Sequence, residues 1–220
     1  MDVTELMIKG IVVGVFQENC WIIGSQRTRE GIVVDPGDEP DRILELARDM
    51  GVNVKLIVNS HAHVDHILGV GGVQRATGAR FLLHPGDDWL VAEAAKSASR
   101  WLGYTPEQPP TPDAPLANDD VVEVDGLRLT VIHTPGHTPG SVCLYTEGLL
   151  FSGDTLFQGS IGRTDFPGGD FRQIMASIVD RLLELPDDTI VLPGHMRETR
   201  IGHERRTNPF ILEELQNRAG

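Results

Sequence analysis

The chain has 220 residues, with 32 acidic against 19 basic side chains, a formal net charge of -13 and a hydrophobic fraction of 40%. That length can bury one full core as a soluble globular domain. The acidic balance lacks the basic stripe of a protein that tracks phosphate backbones, and no run nears the ~18 apolar residues of a membrane span.

The start, MDVTELMIKG, has two acids and no apolar signal region, so a cytoplasmic location is expected, with one domain over residues 1–220. Short apolar, β-branched runs then alternate with helical patterns. IKGIVVGVF, CWIIG and GIVVD come first. A helix starting near Asp38 carries Ile43, Leu44, Leu46 and Ala47 and stops at Gly51. VKLIV and ARFLL follow, then a helix from about Asp87 to Leu102. The five prolines of YTPEQPPTPDAPLAND (104–119) read as a surface loop inside the domain. DVVEVDGLRLTVI holds a hairpin at VDGL (124–127), and VCLYT and LLFSG come next. Phe171, Ile174, Met175, Ile178, Val179, Leu182 and Leu183 recur at helical spacing, which predicts one helix through DFRQIMASIVDRLLEL capped by Asp170. TIVLPG is a last strand-like run, and a short helix begins near Asn208-Pro209. Cys20 and Cys143 read as small buried strand residues, not as a disulfide. No CxxC occurs, which excludes thiolate zinc fingers and the zinc nucleobase deaminases.

Potential ligands stand where the apolar runs end. VKLIVNS runs into His61 and His63, LRLTVIHTPG into His137, LLFSG into Asp154 and TIVLPG into His195. In a layered fold such strand ends lie along one edge, so distant residues can share a pocket. Within HAHVDH, His61 and His63 point the same way from an extended stretch. Asp65 and His66 follow at the turn into a helix and must point differently, so the spacing suits two ions better than one. Imidazole and carboxylate suit zinc, iron and manganese alike.

HAHVDH, TPGHTPGS (134–141), FSGDTLF (151–157) and LPGH (192–195) come in the order and approximate spacing of the metallo-β-lactamase superfamily. The chain resembles that family from about Met7 to Phe210. The resemblance implies an α/β (α+β) fold, a four-layer αββα sandwich of two mixed sheets packed face to face with helices outside. It implies that His61, His63 and His137 hold a first metal, that Asp65, His66 and His195 hold a second, and that Asp154 bridges them. Two divalent ions are implied, zinc first, with iron or manganese as alternatives. A bridging hydroxide would be the nucleophile, with Asp65 orienting it and taking a proton. His133 is expected to pack behind His137 or support it. His84 is expected to end its strand, and His203 to be structural or to line the pocket.

Within the superfamily the sequence looks most like the short glyoxalase II-like hydrolases, whose loop and tail GSIGRTDFPGGD (159–170) and IGHERRTNPF (201–210) resemble. This implies hydrolysis of a thioester, such as an S-(2-hydroxyacyl)glutathione, by a monomer or homodimer with no nucleic-acid or membrane partner. The chain ends about ten residues after Asn208-Pro209-Phe210, without the helical domain that grips glutathione in full-length glyoxalase II. Another small ester or thioester is therefore an alternative substrate. A bridging aspartate at Asp154 is not used by the class B β-lactamases. Flavodiiron proteins resemble HxExDH, whereas His63 stands at the second position here, and the superfamily's nucleases carry insertions not visible in this chain. The runner-up is the mononuclear-iron persulfide dioxygenase branch, which shares the ligands and a GRTDF-like loop. Arg163 is expected either to bind a substrate carboxylate by a forked pair or to pair with Asp165. Arg197, Arg200, Arg205 and Arg206 are expected to flank the metal edge.

Overall fold

The central apolar runs, such as GIVVD and LLFSG, become strands buried on both faces, which is why they read as nearly unbroken hydrophobic stretches. A computed structural model describes residues 5–146 and 148–219, so the first four residues of the acidic start lie outside the described residues. The first half contains β1 (Leu6–Val13), β2 (Glu18–Ser25), β3 (Glu30–Val34), α1 (Pro40–Met50), β4 (Asn53–Val58), α2 (Val64–Ile67), α3 (Val70–Thr77), β5 (Arg80–Leu83), α4 (Asp88–Leu102) and β6 (Ala114–Pro115). The second contains β7 (Val121–Val124), β8 (Leu127–His133), β9 (Val142–Thr146), β10 (Leu149–Gly153), β11 (Leu156–Phe157), β12 (Ser160–Ile161), α5 (Phe171–Asp180), β13 (Ile190–Pro193), β14 (Thr199–Arg200), α6 (Ile201–Thr207) and α7 (Pro209–Ala219).

Strands β1 to β6 form one sheet in chain order, antiparallel up to β3 and parallel from there on. The second sheet runs β14-β13-β10-β9-β8-β7 and is antiparallel except where β10 lies beside β13. Successive strand side chains point to opposite faces. In the first sheet Ile22, Val33 and Ile57 pack with Ile43 of α1, Val73 of α3 and Val91 of α4. Their neighbours Ile23, Ile32, Val34, Leu56 and Val58 pack against Val131, Leu144, Phe151 and Leu192 of the other sheet. On the far side, Cys143, Leu150 and Val191 meet Ile174 and Ile178 of α5, Ile201 of α6 and Ile211 of α7. The layers are therefore helix, sheet, sheet, helix. Each fully buried Ile, Leu or Phe contributes about 1.5–3 kcal/mol relative to exposure. Cys20 and Cys143 belong to opposite outer layers, and both are free and buried.

The hairpin between β7 and β8 pairs Val124 with Leu127. Asp125 and Gly126 have φ of 42° and 87°, the positive values a two-residue type I′ turn needs. The long helix expected over 170–185 is shorter. It ends at Asp180, and Leu182–Glu184 form a 3-10 turn that buries both Leu182 and Leu183. Helix α2 stands where Asp65 and His66 are expected to turn into a helix, whereas α3 and α6 occupy stretches where none is expected from the sequence.

Strand direction sets the functional edge. β8 and β10 both run antiparallel to β9, and β13 runs parallel to β10. The loops carrying His137, Asp154 and His195 therefore leave the second sheet on one side. The loop after β4 joins them there, because Val142 N–H donates to the Ser60 carbonyl at 2.8 Å.

Asp170 caps α5 by accepting the Gln173 N–H at 3.0 Å. Asp170→Ala should lower stability by about 1 kcal/mol, seen as a lower urea midpoint with an unchanged slope. An unchanged midpoint would show that the cap contributes nothing.

Candidate metal centre

The loop after β4 brings its first imidazole into the interior with its tautomer fixed. The buried carboxylate of Asp35 accepts both the Ser60 N–H and the Ser60 hydroxyl at 2.6 Å. With its proton committed to Asp35, Ser60 Oγ accepts from His61 Nδ1, 3.0 Å away. His61 Nε2 then presents its lone pair inward, buried and without a partner. His137 is fixed in the same way. Its Nδ1 donates to the Arg163 carbonyl at 2.7 Å, which leaves Nε2 as the free lone pair. That Nε2 lies 2.9 Å from His63 Nδ1. The rings of His61, His63 and His137 stand within 4.6–4.8 Å of one another, close to perpendicular.

A second group forms beside the first. His195 Nε2 is 3.1 Å from Asp65 Oδ2, and His66 Nε2 is 3.9 Å from the same oxygen. Asp154 reaches both groups. Its Oδ2 lies 3.6 Å from His137 Nε2 and 3.7 Å from His195 Nε2, while its Oδ1 lies 3.5 Å from His66 Nε2. Gly194 makes this approach possible, since a Cβ there would stand 2.6 Å from both Asp154 Oδ1 and His66 Cε1.

Among the described residues, four sets have ligand atoms close enough to share a cation: His61-His63-His137, His61-His66-Asp154, Asp65-His66-His195 and Glu18-Asp35-His66. Divalent ions fit this donor set. His61 Nε2, His66 Nε2 and Asp154 Oδ1 are all buried without hydrogen-bond partners. Orphaned atoms of this kind are costly unless something else satisfies them.

The two groups differ electrostatically. Burial and the neighbouring imidazoles hold His61 well below the ordinary histidine value, and burial with His137 lowers His63 to about 3. Both therefore stay neutral, as metal ligands must. Burial opposes the charged form of His66, but Asp154 and Asp65 outweigh it and raise the ring well above its usual value. Burial likewise opposes ionisation of Asp154, yet His66, His137 and His195 hold its carboxyl below the usual range. Asp65 is lowered despite burial by His66 and by its hydrogen bond from His195.

Residues not singled out in the sequence hold this arrangement. Asp87 is fully buried just before α4. Its Oδ2 accepts the Ala62 N–H at 3.0 Å and the Thr138 hydroxyl at 2.7 Å, and its Oδ1 accepts the Gly140 N–H at 2.7 Å. One carboxylate thus ties the loop of His61 and His63 to the loop of His137. The tail ties down the turn that leads into β12. Buried Glu204 accepts the Gly159 N–H at 2.8 Å, and Asn208 donates to the Ser160 carbonyl at 3.0 Å.

Of the other expectations, some hold and some do not. His133 does not support His137; its Nε2 donates to the Pro139 carbonyl, and its ring stacks on His84 at 4.2 Å. His84 directly follows β5, as expected of a strand-end residue, and accepts the Gly86 N–H. Arg163 makes the pairing alternative, with Nε and Nη2 each 2.7 Å from an Asp165 oxygen and the guanidinium 3.7 Å above the Phe166 ring. Arg200, Arg205 and Arg206 point to the start of β13, where they meet the Asp188 carbonyl and the Asp187 carboxylate, not to its His195 end. His203 is half-exposed, 3.9 Å from Glu204.

Residues 13–195 match the family described as the Metallo-beta-lactamase superfamily. Hydroxyacylglutathione hydrolase GloC of Haemophilus influenzae is 33% identical over 207 residues, covering 93% of this chain and 97% of its own. Among solved structures, the BLEG-1 B3 metallo-beta-lactamase is 37% identical with a TM-score of 0.87, over 93% of this chain and 99% of its own. TTHA1623 in a di-iron-bound form is 39% identical with a TM-score of 0.83, over 92% and 99%. ETHE1 from Myxococcus xanthus is 25% identical with a TM-score of 0.78, over 96% and 90%.

Asp87→Ala would leave three buried donors without an acceptor, a loss of a few kcal/mol, about 1–3 for each. Thermal melting should show a clearly lower Tm, and metal titration should show binding weakened about 10–100-fold. Wild-type values for both would remove the clamp assigned to Asp87.

Proposed function

We propose that this chain, which belongs to the metallo-beta-lactamase superfamily, is a two-metal hydrolase of a small thioester of the S-(2-hydroxyacyl)glutathione type. The observation that carries the reading is the reach of Asp154, whose two oxygens face imidazoles of both groups at 3.5–3.7 Å. His61, His63 and His137 would hold one ion, Asp65, His66 and His195 the other, with Asp154 shared. Two divalent ions, zinc first and iron or manganese as alternatives, would when bound supply a hydroxide near neutral pH and polarise a carbonyl. The similarity to Hydroxyacylglutathione hydrolase GloC along nearly the whole of both chains supports the thioester.

The chain's own residues supply the rest. Asp65 stays ionised and lines a small cleft with Phe16, Leu68 and Leu102. Its carboxylate orients the attacking group and accepts a proton. Arg163 sits at the rim, because the Phe166 ring beneath it is 5.6 Å from His63. Its pair with Asp165 is exposed on both sides, where such pairs are worth little, so a substrate carboxylate can take the place of Asp165. A small-molecule partner, a cytoplasmic location and a monomeric or dimeric state belong to the same proposal. Among the described residues no helix is long and apolar enough to cross a membrane.

The second reading is mononuclear iron chemistry on a persulfide. His61, His66 and Asp154 offer the two-histidine, one-carboxylate set that suits iron, and ETHE1 from Myxococcus xanthus shares the fold. The higher identity to Hydroxyacylglutathione hydrolase GloC, 33% against 25% for ETHE1, favours the hydrolase.

Metal analysis beside assays on S-D-lactoylglutathione, a glutathione persulfide and a chromogenic cephalosporin separates the possibilities. The last substrate is chosen because of the similarity to a B3 metallo-beta-lactamase. Two ions per chain with thioester cleavage is the expected result. One iron with oxygen uptake on the persulfide, or turnover of the cephalosporin alone, would replace it. His61→Ala and Asp154→Ala should each lose metal and nearly all turnover; full activity in either overturns the site. Arg163→Ala should raise KM roughly tenfold with kcat nearly unchanged, the worth of a charge-assisted pair. Unchanged kinetics would remove Arg163 from the binding site.

A further inference from the structure

Glu18 opens β2 and is fully buried, yet neither of its carboxyl oxygens has a hydrogen-bond partner. A sealed polar group without a partner costs stability, so its position needs a reason. The basic group it faces is His66, whose Nδ1 lies 3.9 Å from Glu18 Oε1. On its other side the carboxyl rests against Gly37, where a Cβ would come within 2.8 Å of Oε2.

His66 needs an acceptor on that side. Its Nε2 faces Asp154 and Asp65 at 3.5 and 3.9 Å, so Nδ1 must carry the proton if Nε2 is to hold an ion. Asp35 Oδ2 is 3.2 Å from Nδ1, but that oxygen already accepts the Ser60 hydroxyl at 2.6 Å. Nδ1 makes no well-aligned hydrogen bond. The Glu18-Asp35-His66 set meets the distances of a cation site. A protonated Nδ1 cannot ligate, however, so a cation there would compete with one at Nε2.

Resting on the two-ion reading above, we propose that Glu18 is a positioning residue for the second ion. It completes, with Asp35, a carboxylate cradle that keeps the His66 proton on Nδ1 and aims Nε2 at the ion. A movement of about 1 Å brings Oε1 within hydrogen-bond distance. A carboxyl offers an acceptor oxygen whether or not it is ionised, so the role does not depend on its charge.

The test is ion binding by Glu18→Leu and Glu18→Gln, measured by competition with a chelating dye and by metal content after dialysis. Glu18→Leu should bind the second ion at least about tenfold more weakly, the usual cost of losing a histidine's outer partner, with the first ion unchanged. Glu18→Gln keeps an acceptor oxygen and should stay within about threefold of wild type. Metal-stripped Glu18→Leu should melt no lower than stripped wild type, because a partnerless buried carboxyl is gone. Wild-type affinity for both ions in Glu18→Leu overturns the inference alone, as does equal weakening of both ions. A lower Tm of the stripped variant with unchanged ion affinity would mark packing only and overturn it as well. Wild-type protein that binds a single ion overturns both this inference and the two-ion reading.

Discussion

The arrangement depends on two buried carboxylates that grip backbone on the strand edge. Asp35 holds the Ser60 amide and hydroxyl, and Asp87 holds the Ala62 and Gly140 amides. Charge-assisted bonds of this kind are short and strong, and inside a protein they cannot be exchanged cheaply for water. The loop between β4 and α2 therefore has little freedom, and His61 and His63 inherit that rigidity. Asn59 adds to it by donating to the His66 carbonyl at 2.6 Å. A ligand site built in this way is organised before any ion arrives, which is what keeps binding from paying a large ordering cost.

Burial then separates the two halves of the site. In the three-histidine group, burial and the neighbouring imidazoles disfavour protonation of His61 and His63, so their lone pairs are available. The mixed group lies among carboxylates that favour protons on His66 and His195. On the two-ion proposal a cation would compete with those protons, so occupancy of the second group would be tied more closely to pH than occupancy of the first. Asp154 joins the two halves and is the residue through which the charge of one reaches the other.

Much of this was legible in the sequence because strand periodicity and strand direction are local properties. Runs such as CWIIG and the GIVV of β3 carry no polar side chain because sheet and helix cover both faces, and four apolar runs point at ligands because their strands end on one edge. Asp87 was not legible. In LLHPGDDW it reads as an acid near a helix start, and its partners at 62, 138 and 140 exist only in the folded chain. Helix α3 was hidden by Gly71 and Gly72 in its first turn, which weaken the helical pattern. His133 misled because proximity in sequence to His137 does not give proximity of rings. Its nearest aromatic partner, His84, comes from the other sheet.

The tail and the 159–170 loop make one argument together. Glu204 and Asn208 anchor Gly159 and Ser160, and three residues further on the Arg163 carbonyl fixes the tautomer of His137. The tail therefore acts on the site through backbone, even though its arginines face away from it. Arg163 has two separable parts. Its carbonyl belongs to the metal centre and survives any side-chain change, whereas its guanidinium, paired with Asp165 over Phe166, belongs to the rim. Under the proposed function, a side-chain substitution at this position would therefore report on substrate binding without disturbing the hydrogen bond that orients His137.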